Sequence, residues 1–61
     1  MFKVKIYYPF DVWVATFKTE SEAKNYYDEI TNNFHELDEE ISSISMWNKT
    51  DPMYCFKPQY E

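Results

Sequence analysis

The chain contains no glycine, where average usage of about 7% would give roughly four in a protein of this size. Phosphate-cradling loops need a backbone that approaches the ligand without side chains, so the Walker loop and the dinucleotide fingerprint are both excluded. Arginine is also absent, and the positive charges are Lys3, Lys5, Lys18, Lys24, Lys49 and Lys57. A lysine is a point charge without the planar fork that reads guanine or clamps phosphate, which argues against specific nucleic-acid recognition. One cysteine, Cys55, and one histidine, His35, fall short of the four nitrogen or sulfur ligands of a structural zinc site. A lone cysteine also cannot build the disulfide framework of a small secreted domain. Long apolar runs are missing too, since the opening Phe2-Lys3-Val4-Lys5-Ile6 is punctuated by charge. These absences together lead us to expect a cytoplasmic protein with no cofactor, no metal and no membrane association. With 61 residues, one domain spanning 1–61 is the ceiling.

What is present reads as an α+β pattern. Residues 2–8 alternate strictly, with Phe2, Val4, Ile6 and Tyr8 on one side and Lys3, Lys5 and Tyr7 on the other, as a half-buried strand requires. Tyr8-Pro9-Phe10-Asp11 is a turn, and a second strand over 12–18 completes a hairpin. Trp13, Ala15 and Phe17 share one face of that strand and Val12, Val14 and Thr16 the other. Both faces are apolar enough that the inward one stays open. At Thr19 the period changes from two to about 3.6, and Thr19 with Glu22 forms a capping box expected to satisfy two first-turn amides. Ala23, Tyr27, Ile30, Phe34, Leu37 and Ile41 then recur at helical spacing. Asn32-Asn33 and the carboxylates that follow end the helix near Phe34 or His35, the unbroken stripe allowing a continuation to about Glu40. A third strand over 41–48, a polar loop over 48–52 and a fourth strand over 53–57, at or near an edge because Pro58 stops it, complete a ββαββ reading. The expected architecture is a small antiparallel sheet with one helix packed on one face, its strand order unreadable.

Charge is distributed unevenly. Residues 20–40 hold eight acids (Glu20, Glu22, Asp28, Glu29, Glu36, Asp38, Glu39 and Glu40) against Lys24, a net charge of −7. The remainder holds five lysines against Asp11, Asp51 and Glu61, a net +2, which together give the −5 of the chain. Such asymmetry steers a protein towards a basic surface. His35 with its neighbouring acids lacks the ligand spacing and sharp-turn glycine of a hard-cation loop, so it reads as a solvated acidic segment. No nucleophile, base and orienting group stand in a catalytic arrangement, and no pocket of a few hundred Å³ is expected in so small a core. Cys55 reads as a small core residue, and the protein as no enzyme.

Thirteen aromatics, five Phe, six Tyr and two Trp, are too many for the inner faces of one helix on one sheet. Tyr7, Trp13 or Val14, Trp47 and Tyr54 are therefore expected on an exposed sheet face, with Trp47 at its centre because Ser43 and Ser45 leave room for an opposing side chain. In size, acidity and aromatic content the chain resembles small phage or mobile-element proteins that inhibit a larger bacterial enzyme. That resemblance implies a protein-binding antagonist, an anti-defence inhibitor that engages a larger protein with a basic surface. The expected partner-binding residues are Glu36, Asp38, Glu39, Glu40, Trp47, Tyr7 and Tyr54, and a homodimer is expected through the sheet. The alternative is a structural or regulatory subunit of a homo- or hetero-oligomer.

Overall fold

A computed structural model describes residues 1–37 and 40–59. In chain order it consists of β1 (Phe2–Tyr7), β2 (Val12–Phe17), α1 (Glu20–Asn33), a 3-10 turn (Phe34–Glu36), β3 (Ser43–Asn48) and β4 (Asp51–Phe56). The strands form one four-stranded antiparallel sheet in the order β2-β1-β3-β4, with the helix packed against one face. This is the expected ββαββ architecture, and it places β4 at an edge as Pro58 suggested.

Register assigns the faces. Val4 lies between Ala15 on β2 and Met46 on β3, and Ile6 lies between Trp13 and Ile44. Cross-strand partners share a face, so the side of Val4 and Ile6 also carries Trp13, Ala15, Phe17, Ile44 and Met46. It is the covered side, since Val4, Ile6, Ile44 and Met46 are buried against Ala23 and Tyr27 of α1 and against Ile41. The open side carries Lys3, Lys5, Tyr7, Val12, Val14, Thr16, Ser43, Ser45 and Trp47. The inward face of β2, open in the sequence, is thus that of Trp13, Ala15 and Phe17.

The helix starts where the capping signal puts it. Thr19 is extended, and its Oγ1 accepts the Glu22 amide at 3.2 Å while its hydroxyl donates to Glu22 Oε1 at 3.1 Å. One amide is satisfied this way rather than two, because the Glu22 carboxylate binds the hydroxyl instead of reaching back to the Thr19 amide. Thr19→Ala is expected to cost about 1 kcal/mol, read as a lowered melting temperature; an unchanged melt would show that the cap contributes nothing. At the other end Asn33 leaves helical geometry with φ −120° and ψ 17°, and its Nδ2 donates to the Glu29 carbonyl at 2.9 Å. The apolar stripe breaks there as well: Phe34 is half-buried, Leu37 is 38% exposed, and Ile41 rejoins the core from the segment before β3.

The second hairpin is tighter than the expected polar loop. Asn48 pairs with Asp51, so only Lys49 and Thr50 make the turn, and Pro52 already belongs to β4. Lys49 has φ 58°, a left-handed conformation that costs a side-chain-bearing residue roughly 1–2 kcal/mol and that two-residue hairpins usually give to Gly or Asn. In a chain without glycine a lysine takes it. Met46 pairs with Tyr54 and Trp47 with Pro52, so Met53 is an extra residue and β4 is bulged.

Candidate functional site

The open face is less aromatic than its strands suggest. Tyr54, opposite Met46, stands on the helix side, 45% exposed, where its ring meets that of Tyr27 at 5.8 Å. Trp13 is also on the helix side, 58% exposed at the outermost strand. Most aromatic side chains are drawn to that side: Phe17 packs on Tyr26 at 5.3 Å and Phe34 on Phe56 at 5.5 Å. Of the expected patch, the open face keeps Val14, which is exposed, and two aromatics, Tyr7 and Trp47, both half-buried. The two aromatics are not adjacent, since Trp47 pairs with Lys3 and Tyr7 lies four residues further along β1, roughly 13 Å away at strand rise.

Trp47 is held by its own sheet. Its Nε1–H donates to Ser45 Oγ at 2.7 Å, and the Lys5 ammonium sits 4.5 Å from its ring centroid, a cation–π contact. The indole lies across Ser45, which is only 6% exposed. The space expected for an opposing side chain is filled by the tryptophan itself. Cys55, paired with Ser45 across β3 and β4, is an exposed free thiol and not a core residue, because the position paired with Ser45 faces the open side.

On the helix side, Glu20, Glu22, Glu29, Glu36 and Glu40 are exposed and Asp28 is half-buried. Asp38 and Glu39, expected at the same surface, lie outside the described residues. Glu36 stands in the 3-10 turn and Glu40 just before β3, so the acidic set extends from α1 into the connection that follows it. The lysines nearest the sheet centre, Lys3 and Lys5, point to the opposite side. The molecule therefore has an acidic helical side and a mildly basic open side.

A surface recess of about 330 Å³ opens between the helix start and β4, lined by Glu20, Ser21, Lys24, Asn25 and Tyr54. A hollow of that volume was not expected, and it lies on the surface rather than within the core. Lys24 Nζ bonds Asp28 Oδ1 at 2.6 Å and lies 5.1 Å from the Tyr54 ring and 5.6 Å from that of Tyr27. Its pKa is raised, first by the Asp28 hydrogen bond, which is the reverse of what a nucleophilic lysine needs. The pKa of Tyr27 is raised chiefly by burial, so its phenol stays neutral. Among the described residues, no three His, Cys, Asp or Glu side chains are grouped to hold a metal ion, and no helix is long and apolar enough to cross a membrane.

No protein-family model, curated protein or solved structure matches the chain.

Proposed function

We propose that the protein acts by binding and not by catalysis, presenting the acidic side formed by α1 and the turn after it to a basic surface on a larger protein. The observation that carries this reading is the division of charge by the sheet: the exposed carboxylates of Glu20, Glu22, Glu29, Glu36 and Glu40 on the helix side, with Lys3 and Lys5 on the other. A surface of one sign raises the rate of encounter with a complementary surface and disfavours polyanions. An antagonist that covers a basic, substrate-binding surface of a bacterial enzyme is the role best suited to such a surface, exercised in the reducing cytosol. In the surface recess, the lysine tied to a carboxylate supports binding over chemistry.

The test is capture of a partner from bacterial lysate at low salt, followed by association kinetics with that partner. Changing Glu20, Glu22, Glu29, Glu36 and Glu40 to Gln is expected to slow association about tenfold or more and to flatten its salt dependence, leaving dissociation little changed. An association rate indifferent to both salt and substitution would confine these carboxylates to solubility.

A further inference from the structure

The two edges of the sheet are protected unequally. β4 has a bulge, Asp51 and Pro52, devices that discourage further pairing. β2 is Val-Trp-Val-Ala-Thr-Phe, six residues with no charge, no proline and no bulge. At the hairpin end the Tyr8 amide donates to the Asp11 carbonyl at 2.8 Å. Alternation along an antiparallel ladder then directs the amides and carbonyls of Trp13, Ala15 and Phe17 to β1 and those of Val12, Val14 and Thr16 outward. Two contacts agree with that parity. The Val12 amide is taken on the outer side by Asp11 Oδ1 at 2.8 Å, and the Lys49 amide donates to the carbonyl of Met1, which precedes β1 and shares the parity of Lys3 and Lys5. The outward groups of Val14 and Thr16 meet no partner among the described residues.

We infer that this edge pairs with the same edge of a second copy, antiparallel about a two-fold axis at Val14, to make a continuous eight-stranded sheet. Two features of the strand select a second copy and this register. Pairing Val14 with Val14, and Val12 with Thr16 in both directions, engages every outward amide and carbonyl of the strand. Shifting by two residues in either direction loses one of those pairs. On the helix side, the register sets the exposed Trp13 of each copy opposite the small Ala15 of the other, whereas the shifted registers oppose Trp13 to Trp13 or Ala15 to Ala15. At both ends Asp11 falls opposite Phe17 and Lys18 opposite Phe10 of the second strand, so no like charges face one another, and the Val12 amide is released from Asp11 to the Thr16 carbonyl. The acids that outweigh the lysines are concentrated between residues 20 and 40 of the sequence, and β2 itself carries no charge. The inference does not depend on the acidic surface having a partner. It also differs from pairing of open faces, which would bring Lys3 and Lys5 of two copies together.

A single strand with its flanks covers less than the roughly 800 Å² per partner of a standard interface, so the dimer is expected to dissociate within the micromolar range. Sedimentation equilibrium from micromolar to near-millimolar concentration should show the mass rising from 7.5 kDa towards twice that value. Val14→Glu places a carboxylate beside Lys5 within the fold but against its own copy across the axis, and should weaken the dimer about tenfold or more. Mixing it with Val14→Lys should restore a one-to-one dimer. Should Val14→Glu fail to fold, amide exchange in the wild type provides the second measurement, with Val14 and Thr16 slowing as concentration rises. A mass fixed at the monomer value, a Val14→Glu protein that dimerises normally, a mixture that stays monomeric, or unslowed amides would each overturn the inference. A dimer dissolved by Trp47→Ser and untouched by Val14→Glu would move the contact to the open face.

Discussion

Ile44→Ala is expected to leave much of the protein unfolded at room temperature. Ile44 is wholly buried, with Ile6 beside it on β1, Phe56 beside it on β4 and the helix above. Truncating a buried isoleucine to alanine costs about 2–5 kcal/mol, the larger values arising where the surroundings cannot collapse into the space. Neighbours fixed by two ladders cannot collapse far. At the usual 0.05–0.15 kcal/mol per residue, a chain of 61 residues has on the order of 3–9 kcal/mol in total, so this one substitution removes a large share of it. Urea unfolding followed by circular dichroism checks the expectation, and Leu37→Ala provides the contrast. Leu37 is 38% exposed, and its truncation should shift the midpoint only slightly. Equal losses at the two positions would mean that burial in this sheet does not govern stability.

Ala23→Leu should be nearly as damaging, for the opposite reason. Ala23 is wholly buried where α1 meets the sheet, so the small side chain sets how closely the helix approaches. Leucine forms helix almost as readily as alanine, and the added carbons must either displace Tyr27 and Met46 or lift the helix. Overpacking of this kind costs about 1–3 kcal/mol. Asn25→Leu, on the exposed side of the same helix, should cost nothing and serves as the control. A urea midpoint unmoved by Ala23→Leu would show that the helix rides on the sheet without close packing.

The features legible from sequence were those encoded within a single segment. Strict alternation located β1, Thr19 and Glu22 located the helix start, Asn32-Asn33 located its end, and Pro58 marked β4 as an edge strand. The features that escaped depend on partners elsewhere in the chain. β2 has two apolar faces, so only its register with Val4 and Ile6 decides which is covered. The bulge at Met53 sits where β4 crosses from Pro52 to Tyr54, and nothing in Asp51-Pro52-Met53-Tyr54 announces it. Cys55 and Tyr54 consequently lie on the faces opposite to those expected. The turn at Lys49 was hidden because its left-handed backbone is carried by a lysine. As for the candidate site, the acidic surface was plain in the charge distribution, but the accessible edge was not. An uncharged, proline-free strand reads as a central one, and β2 is an edge strand only because β3 takes the other side of β1.

That placement of β1 also governs how the chain reaches its fold. The β1–β2 hairpin is local and can close within about 1–10 μs. The pairing of β1 with β3 joins Phe2 to Asn48, about three quarters of the chain, and its loop-closure entropy is lost before the long-range contacts repay it. Closure of β1 on β3 is thus the slow event, and the hairpin forms and melts many times before it happens. During that interval both flanks of the hairpin are bare, including the strand from Val12 to Phe17 with nothing to repel a neighbour. Refolding yield should therefore fall as protein concentration rises, through collisions between hairpins that have not yet captured their own β3.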